Sequence, residues 1–242
     1  MWQTIIFSFL AGLLTLVGIV TIKLFHDQAL RYSHYINSFA AGIILTVAIA
    51  SLLPHAVEQN RHAGLYALGG FAAFLVLETF LVLHSGAEVH YPDRSGGAAR
   101  GIVFFWGLFL HSLLDGVIIA AAFAGGQRIG LVTALAVVSH ELPEGITSFT
   151  LLLRKLKERT AMALAVAVAL ATPVGGLIGL AVLPALAPAS TGALLAMVAG
   201  SFLYIAATDI VPEIREQSPL RNIVFMVAGM AFLAVVNEFT GH

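Results

Sequence analysis

Eight stretches of about twenty mostly apolar residues, laid nearly end to end, leave this chain few ways to fold. A bilayer core is about 30 Å thick and an α-helix rises about 1.5 Å per residue, so each stretch is the length of one crossing. They lie near residues 3–25, 34–56, 64–84, 101–124, 129–153, 160–183, 190–212 and 220–240, separated by polar or Gly/Pro-bearing turns. None alternates apolar with polar residues, as the strands of a membrane barrel must. With 59% hydrophobic and only 10% charged residues, there is too little polar surface to cover a soluble core of this size. The expected fold is an all-α polytopic membrane protein with eight transmembrane helices, forming one transmembrane domain over residues 1–242. Met-Trp-Gln before the first run lacks the basic flank of a secretory signal, so that run reads as a retained helix.

Basic residues sort sharply by loop. All but Arg61 and Arg128 follow odd-numbered helices, and the densest group is Arg154, Lys155, Lys157 and Arg159 after helix 5. Because Lys and Arg collect on the cytoplasmic side, both termini are expected outside. Ala40-Ala41-Gly42 precedes Pro54 by the same distance at which Val198-Ala199-Gly200 precedes Pro212, and Glu58-Gln59 and Glu216-Gln217 keep that register. Helices 2 and 7 would run in opposite directions, so the match predicts an inverted repeat of helices 1–3 and 6–8 around a central helix 4/5 pair. A net charge of −1 offers nothing to nucleic acid, and the absence of Cys excludes thiolate metal sites and disulfides.

Two hexapeptides concentrate the polar chemistry. One is His111-Ser112-Leu113-Leu114-Asp115-Gly116 on helix 4, the other His140-Glu141-Leu142-Pro143-Glu144-Gly145 on helix 5. Residues i and i+4 share a helix face, which sets His111 over Asp115 and His140 over Glu144. Both motifs begin about halfway along their helices, near the bilayer midplane. There an isolated ionisable group costs about 2.5–3.5 kcal/mol on the most lenient scale. Two imidazoles and three carboxylates together need an offset, and a divalent cation supplies one. Zinc suits a mixed nitrogen and oxygen set, while iron, manganese and cadmium fit the same donors. The plainer reading is a protonated, hydrogen-bonded cluster that only joins helices. Pro143 removes a helix bond beside His140, and Gly116 and Gly145 are expected to let helices 4 and 5 approach closely.

At these residues the chain resembles the ZIP (Zrt-, Irt-like protein) family of metal transporters, whose helix 4 motif is of the HNxxDG or HNxPEG type and whose helix 5 motif is HExPHE or a bacterial form ending in PEG. Further similarity lies in Phe39-Ala40-Ala41-Gly42 with Leu53-Pro54, and in Phe202-Leu203-Tyr204 with Asp209 and Pro212-Glu213. The resemblance implies a bacterial-type member in the cytoplasmic membrane that carries zinc or another divalent ion inward as substrate, with no catalytic cofactor. It admits a homodimer. By that similarity His111, Asp115, His140 and Glu144 form the main metal site, and Ser112 and Glu141 turn toward a second one. Helix 6 has no acid from Thr160 to Leu183, which leaves any second site weak. The loop after helix 3 offers only His84, Glu88, His90 and Asp93 for metal.

Glu78 and Asp209 at membrane depth, and His55, Glu58, Glu213 and Glu216 past the helix-ending prolines, are candidate pathway residues. His26, His34, His62 and His242 read as solvated. Two other functions compete. A membrane zinc hydrolase would use the His140-Glu141 beginning of an H-E-x-x-H motif, but Glu144 stands in place of its second His. A proton-coupled carrier of another solute would ignore transition metals.

Overall fold

The computed structural model describes residues 1–81, 97–183, 188–207 and 219–240. Among these residues the chain is helical, in eight rods: α1 (Trp2–Leu24), α2 (His26–Gln59), α3 (Ala63–Leu81), α4 (Gly97–Gly125), α5 (Gln127–Lys155), α6 (Glu158–Val182), α7 (Pro188–Ile205) and α8 (Pro219–Thr240). Six of them, α1, α2, α4, α5, α6 and α8, are long and apolar enough to cross a membrane, and α3 and α7 contain shorter apolar stretches. Large apolar side chains such as Phe9, Leu13 and Val20 on α1 stay exposed. Hydrocarbon, not water, satisfies such a surface.

One expected boundary is corrected. Residues 26–33, read as a connecting loop, are helical, and α1 and α2 meet at Phe25 alone. The segment His-Asp-Gln-Ala-Leu-Arg-Tyr-Ser is polar but contains no helix breaker, so the helix continues where apolarity stops. His34, expected to be solvated, is buried as a result, its ring 4.0 Å from that of Tyr35, which in turn meets Phe225 of α8. His26 and His62 are exposed as expected; His242 lies outside the described residues. Farther along α2, Ala48–Leu52 form a π turn in which the Leu53 N–H reaches back to the Ala48 carbonyl. Pro54 follows at once and has no N–H to give, so the register shift falls where the ordinary ladder would be interrupted anyway.

Helices α1, α4, α5 and α6 pack against one another, α2 pairs with α8, and α3 pairs with α7. Glycines set the closest crossings. A Cβ on Gly116 would stand 2.0 Å from the Thr172 carbonyl of α6, and one on Gly145 would stand 2.1 Å from the Thr15 carbonyl of α1. These two glycines were expected to bring α4 and α5 together; they bring each of those helices onto an outer neighbour instead. A glycine one residue past its acid is rotated about 100° from the face the acid uses. What joins α4 to α5 is Gly126, the single residue between them, at φ 139. That backbone state excludes side chains with a Cβ at little strain, and it folds the two helices into a tight antiparallel hairpin.

Candidate metal centre

The hairpin carries both hexapeptides back to the same level. His111, Asp115, His140 and Glu144 each offer one donor atom, and these atoms all lie within 4.8 Å of one another. Asp115 is at the centre and fully buried. Its Oδ2 is 3.4 Å from Nε2 of His111, one turn away on α4, and 3.2 Å from Nε2 of His140 on α5. Glu144 closes the group, its Oε2 3.9 Å from His111 Nε2. The i,i+4 spacing therefore does on each helix what the sequence implied.

The hydrogen bonds around the four groups leave the inward-facing atoms short of partners. The Nδ1–H of His140 donates to the Ala136 carbonyl at 3.0 Å, since a carbonyl can only accept. That fixes the tautomer of the neutral ring, and Nε2 then turns a lone pair toward the Asp115 carboxylate. A proton on Nε2 makes this 3.2 Å contact a hydrogen bond, and a metal ion held by both groups would take that proton's place. Asp115 Oδ1 and Glu144 Oε2 are buried with no hydrogen-bond partner. Orphaned carboxylate oxygens are costly in a dry interior, and a metal ion supplies what they lack. The rings of Phe74 on α3 and His111 meet edge to face, 6.2 Å between centroids, which helps hold that imidazole in place.

Ser112 and Glu141 stand beside the cluster without completing a second one. Ser112 is buried and donates to Glu144 Oε1 at 2.6 Å. Glu141 is fully buried one residue beyond His140 on α5, where its Oε2 accepts from the Thr15 hydroxyl of α1 and its Oε1 accepts from the Thr172 hydroxyl of α6 at 3.2 Å. Neither threonine was singled out by the sequence. Hydroxyls are common in apolar helices, and only the neighbours chosen by the glycine crossings reveal which of them meet an acid.

The remaining candidates are elsewhere. His55 at the end of α2 lies 3.0 Å through Nε2 from the Gly125 carbonyl and 2.9 Å from the Gln59 amide, with the exposed Glu58 carboxylate 3.9 Å from its Nδ1. Gly125 is ten residues beyond Asp115 on α4, about 15 Å along the helix, so His55 and Glu58 are not brought to the cluster. Glu78 lies on α3 one turn beyond Phe74, its side chain outside the described set. Asp209, Glu213 and Glu216 lie outside the described residues, as do His84, Glu88, His90 and Asp93. Between the cluster and the α4–α5 turn the helices are tightly packed and mostly apolar, with Ile119 and Ala122 of α4 and Val132 and Val137 of α5 at zero exposure beside the buried hydroxyl of Thr133.

Residues 84–237 match the family described as ZIP Zinc transporter. Similar proteins include the zinc transporter ZIP13 of Pongo abelii, 25% identical over 84% of this chain and 66% of that protein. The zinc transporter zipt-7.1 of Caenorhabditis briggsae is 34% identical over 80% and 64%, and the zinc transporter SLC39A7 of Mus musculus is 24% identical over 82% and 61%. The chain thus spans about three fifths to two thirds of the length of these curated relatives. Both hexapeptides fall inside the matched stretch, and on that match the chain belongs to the ZIP zinc transporter family.

Proposed function

We propose that this protein moves a divalent transition metal ion, zinc first, across a membrane through His111, Asp115, His140 and Glu144. One observation carries the reading: four donor atoms from two helices within 4.8 Å, two of the contributing carboxylates each with an orphaned buried oxygen. Two carboxylates neutralise a divalent charge, and two imidazoles complete the four-donor set that zinc favours. The curated relatives named above are zinc transporters, which favours transport over an enzymatic role. The hydrolase alternative is also disfavoured because the Glu141 carboxylate is tied to the Thr15 and Thr172 hydroxyls of α1 and α6.

In this reading all eight helices cross the bilayer as one domain, both termini lie outside, and the protein is a bacterial-type member in the cytoplasmic membrane. The inverted repeat gains support from the glycine crossings, which exchange correctly under it. Gly18 and Gly145 join α1 to α5 as Gly175 and Gly116 join α6 to α4. Gly42 and Gly229 join α2 to α8 as Gly200 and Gly70 join α7 to α3. With the termini outside, the α4–α5 turn is also outside, and the tight, mostly apolar packing above the cluster then seals it from that face. Uptake requires the group bearing the site to shift against α2, α3, α7 and α8 so that the seal opens. Glu78, Asp209, His55, Glu58, Glu213 and Glu216 are pathway residues in this proposal.

Purified protein titrated with zinc is expected to bind one ion at this site, and acidification is expected to weaken it. Protons compete for the same imidazole nitrogens and carboxylate oxygens, which must be deprotonated to ligate. Zinc titrations across a pH series measure this directly, and binding that tightened as pH fell would remove the His/carboxylate assignment.

A further inference from the structure

Resting on the metal-transport reading above, we propose that Ser112 is a positioning residue that holds Glu144 to one-oxygen ligation and so gives the site its preference for zinc over larger divalent ions. The Ser112 hydroxyl has one proton and two acceptors in reach, Glu144 Oε1 at 2.6 Å and the Leu108 carbonyl at 3.1 Å. The shorter contact goes to a carboxylate, and charge-assisted bonds of that length are the stronger kind. The bond commits one lone pair of Glu144 Oε1 and fixes the orientation of the carboxylate. Oε2 is left buried without a partner, and it is the oxygen nearer His111.

The consequence is a count. With Glu144 turned so that Oε2 is the oxygen nearer His111, the cluster presents two imidazole nitrogens, one Glu144 oxygen and the central Asp115 carboxylate, the small mixed set that zinc takes in near-tetrahedral form. Harder and larger ions such as manganese seek more oxygen donors. The adjacent source of one is Glu144 Oε1, and bringing it onto the ion means turning the carboxylate out of the orientation that the Ser112 bond holds. The other nearby acid is no substitute, since both oxygens of Glu141 are engaged by threonines on α1 and α6. Ser112 is itself fully buried, so water cannot readily replace its hydroxyl. The sequence placed Ser112 at a second metal position; its bond to Glu144 gives it a task at the first.

Wild type, Ser112→Ala and Ser112→Thr are to be compared by competition binding of zinc against manganese and cadmium on purified protein, with thermal unfolding as the fold control. The zinc-loaded forms are also examined by X-ray absorption. Ser112→Ala is expected to lower the zinc preference over manganese by about tenfold, the scale of one hydrogen bond to a charged group. Its zinc spectrum should show an added or lengthened oxygen contact, while Ser112→Thr, keeping the hydroxyl, retains the wild-type ratio. An unchanged ratio and unchanged zinc shell in a folded Ser112→Ala protein would overturn the inference while leaving the transport reading intact. Wild-type protein that binds no divalent ion at all would overturn both.

Discussion

Asp115→Asn is expected to cut zinc uptake by more than about a hundredfold while leaving the protein folded. The amide keeps the shape of the side chain but removes one of two charges available to a divalent ion. Asp115 is the group both imidazoles face, at 3.4 and 3.2 Å, and it has no exposure through which water could compensate. Removing one partner of a buried charge pair costs about 3–5 kcal/mol, which is about two to three and a half orders of magnitude in affinity. The loss should appear in both binding and flux. Uptake assays at saturating and limiting zinc, with thermal unfolding as control, measure it; a folded Asp115→Asn protein with near-normal uptake would show that the ion passes elsewhere.

Gly116→Ala should cost the bundle more stability than a methyl added at an open glycine. The added Cβ would stand 2.0 Å from the Thr172 carbonyl and 2.5 Å from the Gly176 nitrogen, both backbone atoms on α6 that cannot rotate away. Separating α4 from α6 by the required ångström or more strips contacts along the whole crossing, and overpacking of this kind typically costs about 1–3 kcal/mol or more. It also moves Thr172 relative to Glu141. The control is Gly64→Ala on α3, where nothing lies within 4 Å of the new methyl. There the better helix propensity of Ala should leave stability unchanged or slightly raised. Melting temperatures of the two variants in detergent should therefore move apart, and equal melting points would contradict the crossing geometry.

The meeting of the four side chains was legible in the sequence because its logic is local. His111 with Asp115, and His140 with Glu144, are i,i+4 pairs, and the single-residue turn at Gly126 needs only to fold α4 back on α5 for the pairs to meet. What a helix meets on its other faces is not written in its own periodicity. That is why Gly116 and Gly145 were assigned to the wrong neighbours, and why Thr15 and Thr172 passed unnoticed until α1 and α6 were seen against Glu141. Residues 26–33 were read as a loop for a related reason. Hydropathy marks where a helix leaves the apolar layer, whereas the backbone stops only at a residue that breaks it, here Phe25 at φ −133. His34 followed that misreading, since a histidine on a continuing helix can be covered by Tyr35 and by the ring of Phe225 behind it.

The central claim is that metal crosses through the His/carboxylate cluster on α4 and α5. Its most direct test is metal uptake into proteoliposomes by purified wild type and His140→Ala, run in parallel with zinc, cadmium, manganese and iron. The substitution removes the Nε2 donor that faces Asp115 and the Nδ1 bond to the Ala136 carbonyl that aims it. Zinc flux in the wild type, lost in a folded His140→Ala protein, is the predicted result. Wild-type protein that folds but moves none of these metals, or a variant that transports as well as the wild type, would contradict it.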